Sequence, residues 1–88
     1  MFHTEALSAA GPGSTKPPMA NAIGQSWNSS VAVAVGSVIG QELRALGTDT
    51  GYYVIQPVTK PSFGRIEETS SEDPRLAGEM AVGFSAGM

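Results

Sequence analysis

Between Asn28 and Gly47 the chain carries apolar residues at Val31, Val35, Val38, Ile39, Leu43 and Leu46, spaced close to three and four residues apart. That recurrence lays an apolar stripe along an α-helix. Asn28, Ser29 and Ser30 stand ahead of it as N-cap candidates, because their side-chain oxygens can accept from the unpaired N–H groups of a first helical turn. A competing signal lies inside the run: Val31-Ala32-Val33-Ala34-Val35 alternates strictly with β-branched residues, which alone reads as a strand. Length decides between them. The helical spacing persists to Leu46, Gln41 to Leu46 is strong helix-forming sequence, and Gly47 stands at the C′ position where helices stop. The pattern predicts a helix over 29–46.

The rest of the chain is arranged on either side of that helix. Gly47 to Gly51 reads as a turn, and Tyr52-Tyr53-Val54-Ile55-Gln56, bounded by Pro57, reads as a strand. Its unbroken apolar character suits a strand covered on both faces, as in a parallel sheet. A loop follows through Pro61 to Ser71, and a second helix is predicted from Pro74 to about Ala86, with Asp73 as N-cap and Pro74 at the first helical position, where a missing N–H costs nothing. Glu72 and Asp73 also favour the positive end of that helix's dipole. Gly78, Gly83 and Gly87 weaken it by up to about 1 kcal/mol each relative to Ala, unless they allow close packing. Residues 1–20 carry turn signals: Ala9 to Ser14 is a loop by composition, and Lys16-Pro17-Pro18 excludes a helix interior or a central strand. Ala20 to Ser26 is either one helical turn or a buried strand. Helices and strands in this order give an α/β class.

With 88 residues the chain is one small domain at most, or a part of a larger one. A formal net charge of -3, with only five Lys plus Arg, argues against nucleic acid, whose phosphates demand clustered cations. There is no cysteine for a disulfide or thiolate site, and His3 forms no recognisable metal spacing with the scattered acids, so no cofactor or metal is expected. The start lacks a basic segment followed by an apolar one, and no run reaches the roughly 18 apolar residues of a membrane span. A soluble chain with no membrane partner is expected, and a secreted one if an N-terminal signal has been lost.

Charge is concentrated in Gly64-Arg65-Ile66-Glu67-Glu68-Thr69-Ser70-Ser71-Glu72-Asp73-Pro74-Arg75-Leu76. Glu72 and Asp73 have helix-start roles; Arg65 and the Glu67-Glu68 pair do not. From the residues alone Arg65 is open between an ion pair with Glu67 or Glu68, worth about 0–1 kcal/mol if exposed, and a ligand contact made through its rigid fork of donors. Adjacent carboxylates invite a general acid/base reading, but neighbours on one loop rarely flank opposite sides of a reacting bond. Trp27 and Phe63 could stack on the flat face of a ligand, with core packing the favoured role for both.

Gly64-Arg65-Ile66-Glu67-Glu68-Thr69, Glu72-Asp73-Pro74 and Leu76, followed by Gly78, Met80, Ala81 and Gly87, resemble the signature of glycoside hydrolase family 3, the β-glucosidase and β-xylosidase group. Upstream, Thr4-Glu5-Ala6-Leu7, Thr15 with Pro18, Ser26-Trp27-Asn28, Val35-Gly36, Ile39-Gly40, Glu42 and Arg44-Ala45 with Gly47 follow that family's motifs in order. The chain departs from them at Pro17, where Phe is usual, at Phe63, where Trp is usual, and at Thr59, Lys60 and Ser62, where the family carries charges.

The resemblance implies that residues 1–88 are a partial N-terminal domain of that family, an incomplete piece, about a third, of a TIM-type (β/α)8 barrel. It favours a turn leading into a barrel strand at Ala20 to Ser26. Unpaired strand edges would then make the isolated chain prone to aggregate. It further implies retaining hydrolysis of terminal β-D-glucosides or β-D-xylosides by the whole enzyme, with Arg65 holding the sugar in the cleaved subsite and Glu5 accepting hydrogen bonds from its outer hydroxyls. Glu reaches one methylene further than the Asp of most glucosidases, which tilts the expectation toward pentosides. The nucleophilic Asp, the acid/base and a sugar-holding Lys-His pair are placed beyond Met88, so no catalytic residue is assigned and the chain alone is expected to be inactive. The alternatives are a non-catalytic sugar-binding module using Glu5 and Arg65, and a non-functional truncated product.

Overall fold

The computed structural model of the chain describes residues 1–6, 9–52 and 59–88. In chain order these form strand β1 (His3–Glu5), helix α1 (Ala20–Gly24), helix α2 (Ser29–Ala45), strand β2 (Thr50–Tyr52), a single 3-10 turn (Ile66–Glu68) and helix α3 (Pro74–Gly87). The class is mixed α/β, as the sequence indicates.

α2 begins and ends as its flanking residues dictate. The Asn28 side chain accepts from the Ser30 N–H at 3.0 Å. At the other end the Gly47 N–H donates to the Arg44 carbonyl at 3.1 Å and the Thr48 N–H to the Leu43 carbonyl at 2.9 Å. This pair of bonds is the Schellman arrangement, and it requires the left-handed backbone that Gly47 adopts at φ 75°. α3 starts on Asp73, whose carboxylate accepts from the Arg75 N–H at 2.8 Å, with Pro74 next in line. Both long helices thus lie where the sequence puts them.

The buried face of α2 does so only in part. Of the expected stripe, Ile39 and Leu43 are buried and Val35 packs against the core, while Val31, Val38 and Leu46 are exposed and Ala32 and Gly36 face inward instead. The cause is the closeness of α3. A Cβ placed on Gly36 would run into the Phe84 carbonyl, and one on Gly87 would run into the Val33 carbonyl. One on Gly83 would lie 2.9 Å from the Ser29 carbonyl oxygen, and one on Gly40 2.7 Å from that of Met88. Small residues four apart on each helix, Gly36 with Gly40 and Gly83 with Gly87, therefore let the two backbones touch, and the valines are displaced to the flanks of the contact. For Gly83 and Gly87 the close-packing exception holds. Gly78 faces open space.

Behind this contact Ala6, Ala10, Ile23, Ala32, Ile39, Leu43, Leu76, Met80 and Phe84 form one core, with Phe84, Ile39 and Met80 fully enclosed. β1 and β2 run parallel beside it in the register His3 to Thr50, Thr4 to Gly51 and Glu5 to Tyr52. Parallel neighbours need a long crossover, and α1 and α2 lie within it.

Three expectations are corrected here. A strand at His3–Glu5 replaces the irregular start, because Asp49 locks it: the Phe2 N–H donates to the Asp49 carboxylate at 2.8 Å and the Asp49 N–H to the Phe2 carbonyl at 2.8 Å. The same pairing draws Thr50 and Gly51 out of the expected turn and into β2. The Tyr53 to Gln56 part of the expected strand lies outside the described residues. Ala20 to Gly24 is helical, not a turn leading into a strand, and its Gly24 abuts the Ser70 carbonyl so closely that a Cβ would collide with it.

The segment between β1 and α1 is also held. Gly11-Pro12-Gly13-Ser14 closes a turn with the Ser14 N–H donating to the Gly11 carbonyl at 3.1 Å and Gly13 at φ 81°, the residue pattern of a type II turn. Next to it Thr15 donates to the Glu42 carboxylate from its hydroxyl at 2.6 Å and from its N–H at 3.0 Å. That clamp fixes the segment following β1 to the last turns of α2.

Candidate functional site

Glu5 is the last residue of β1, paired in register with Tyr52, and is exposed. Its place at the C-terminal end of a parallel strand comes from the β1/β2 pairing just described.

Arg65 opens the 3-10 turn. Its guanidinium reaches the Glu68 carboxylate at 2.5 Å, with the Arg65 side chain about half exposed at 52% and that of Glu68 at 18%. The turn itself is set by a buried threonine. The Thr69 hydroxyl donates to the Ile66 carbonyl at 2.7 Å and shares a hydrogen bond of 2.6 Å with the Thr59 hydroxyl, while the Thr69 N–H donates to Ile66 as well. Burying a hydroxyl with two good partners avoids the cost of an unsatisfied polar group, and it fixes the loop that presents Arg65. The Arg65–Glu68 pair is one of the two roles the sequence leaves open for Arg65. Held by a carboxylate on one side, the guanidinium still has donors directed elsewhere.

The structure does not join the two predicted residues. Among the described residues no ion pair or hydrogen bond links Glu5 to Arg65. Arg75 and Glu79 form a second ion pair, 3.0 Å and exposed, along α3; it is an ordinary helix-surface pair of small value. Glu72 and Asp73 lie beside the α3 start, and Asp73 is spent on the cap.

Trp27 departs from the favoured reading. It is 72% exposed and adopts φ 54°, the left-handed region, so it is not a core residue. The reason is positional: α1 ends at Gly24 and α2 is capped by Asn28, leaving a tight link whose reversal falls on Trp27 and turns the indole outward. Nothing in the residue types distinguishes this from a buried tryptophan; only the shortness of the link between two helix ends could have signalled it. Phe63 is half-buried in a turn closed by its N–H on the Lys60 carbonyl at 2.9 Å. Among the described residues no helix is long and apolar enough to cross a membrane.

These features sit on a chain whose residues 3–88 match the family model for the glycosyl hydrolase family 3 N terminal domain. The chain belongs to that family. Two relatives from Medicago sativa subsp. varia, named β-xylosidase/α-L-arabinofuranosidase 1 and 2, are each 35% identical over 83 residues. Those alignments cover 88% of this chain and 11% of each relative, so the chain spans about a tenth of the length of the curated relatives it matches. No solved structure matches it.

Several family motifs meet in this fold. Thr15 and Glu42 are hydrogen-bonded partners, and Gly36, Gly40 and Gly87 line the α2/α3 contact. Part of the resemblance is therefore accounted for by packing, while Glu5, Trp27 and Arg65 are motif residues that the packing leaves exposed.

Proposed function

We propose that this chain is part of a β-glycosidase that hydrolyses terminal β-D-xylosides or β-D-glucosides with retention, and that Glu5 and Arg65 contribute to holding the terminal sugar. The family match over residues 3–88 carries the reading. The parallel β1/β2 pair bridged by helix supports assigning the chain to roughly a third of a (β/α)8 barrel, because such barrels repeat that unit and place their sites at strand C-terminal ends. Glu5 is at one such end, and Arg65 lies in chain order between β2 and α3.

In this role the chain binds and orients. A guanidinium fixed on one edge by Glu68 offers its remaining donors to two adjacent sugar hydroxyls, and the Glu5 carboxylate accepts from hydroxyls on the ring's far side. The nucleophile and the acid/base belong to sequence outside these residues, so no bond-breaking step is assigned to this chain. The names of the Medicago relatives and the longer reach of Glu5 both favour a pentoside over a glucoside.

The test joins residues 1–88 to the remainder of one Medicago relative and assays aryl β-xyloside, aryl β-glucoside and aryl α-L-arabinofuranoside. The expected result is hydrolysis by the joined protein, fastest on the xyloside, and none by the 88-residue chain. A soluble, cooperatively folded joined protein that hydrolyses none of them would contradict the proposal.

A further inference from the structure

Trp27 stands between two small clefts that the reading above does not use. One, of about 300 Å³, is lined by Asn21, Gln25, Thr59, Ser71 and Glu72 together with Trp27. The other, of about 280 Å³, is lined by Asp73, Arg75 and Glu79, and the two share Trp27 and Leu76 as their common wall. Neither lining includes Glu5 or Arg65.

We propose that Trp27 is a stacking platform for a pyranose unit of a β-linked glycan chain, with the side chains of the two clefts bonding to the hydroxyls of the rings on either side. The chemistry of the lining points to this ligand. A pyranose presents an apolar C–H face and an equatorial rim of hydroxyls, and needs an aromatic plane ringed by amides, hydroxyls and carboxylates. The Asn21 and Gln25 amides bond to each other at 2.9 Å, and in either orientation this leaves one donor group and one acceptor for a ligand. Glu72 takes no ion pair among the described residues.

The platform is also held in place. A bulky residue in the left-handed region is costly and persists only where its surroundings impose it. Here the Trp27 N–H donates to the Gly24 carbonyl at 3.1 Å, and the Ser26 hydroxyl ties the Ile23 carbonyl at 2.7 Å to the Asn28 N–H at 3.2 Å. The indole is thereby presented to solvent on a fixed turn. The competing occupant is further polypeptide, which would favour an apolar surface such as the groove between α2 and α3 lined by Val33, Val82 and Ala86.

The choice of a glycan rests on the family reading, whereas the platform rests on the exposure and surroundings of Trp27. Trp27 is the single tryptophan of the chain, so intrinsic emission reports this site alone. The 88-residue chain is titrated with β-1,4-linked xylotetraose and with cellotetraose, following emission and acrylamide quenching. A saturable blue shift with protection from acrylamide is expected. By calorimetry Trp27→Tyr should keep the affinity within about threefold, Trp27→Ala should lose about tenfold or more, and Val82→Ala, in the groove between α2 and α3, should bind as the parent does. No saturable change with either glycan, or equal binding by Trp27→Ala, overturns the proposal. The joined protein separates the two readings. If it is active yet Trp27→Tyr removes no acrylamide-accessible emission from it without glycan, polypeptide covers Trp27 and the platform falls while the family activity stands. If it is inactive but the glycan-induced shift persists, the hydrolytic reading falls and the platform stands.

Discussion

The α2/α3 pair and the segments that carry Glu5 and Arg65 are built on opposite principles. The helices meet backbone to backbone through Gly36, Gly40, Gly83 and Gly87, with Phe84, Ile39 and Met80 enclosed behind them. Glu5 and Arg65 instead sit at the end of a three-residue strand and at the start of a single 3-10 turn, both exposed. Packing fixes the first region from many sides at once. The second is fixed by a few polar contacts: Asp49 to Phe2 for β1, and Thr69 to Ile66 and Thr59 for the turn. The contrast predicts that stability resides in the helix pair and that substitutions at the two site residues leave the fold nearly unchanged.

The largest effect should come from the enclosed ring between the helices. Phe84→Ala should cost about 3–5 kcal/mol, enough to abolish a cooperative thermal transition in a chain this small. Next come the glycines. Gly36→Val should cost about 1–3 kcal/mol or more, because its Cβ meets the Phe84 carbonyl and cannot be accommodated by a rotamer change. Gly78→Ala, in the same pair but facing open space, should stabilise by about 0.4–1 kcal/mol. Denaturant melts of both variants check this, and equal destabilisation by the two would show that the helices do not meet as described. Asp73→Ala should cost about 1 kcal/mol through loss of the α3 cap, seen as a lower melting midpoint.

The same division governs what can be read from residues alone. α2 and α3 were legible with their caps because those signals are local: Asn28, Gly47 and Asp73-Pro74 each act on the turn beside them. The face α2 buries was legible only in part, at Ile39 and Leu43, since which side faces inward depends on the small residues of a helix about fifty positions away, and Val31 and Val38 mislead once Gly36 is needed at the contact. β1 escaped notice for a related reason. Three residues carry no usable alternation, and His3–Glu5 becomes a strand only by pairing with Thr50–Tyr52. Of the candidate site, the pairing of Arg65 with Glu68 was one of the two roles legible in the residues, whereas the outward turn of Trp27 follows from the link between α1 and α2 and has no signature in residue type.

Arg65 is where the two principles are most sharply opposed, since one side chain could serve the loop or the sugar. In the protein formed by joining residues 1–88 to the remainder of a Medicago relative, Arg65→Ala should lower kcat/KM on an aryl β-xyloside by about 10- to 100-fold, the worth of a charged hydrogen bond, while the melting temperature stays close to the parent's. An unchanged kcat/KM accompanied by a lowered melting temperature would contradict the account and leave Arg65 as the partner of Glu68 and nothing more.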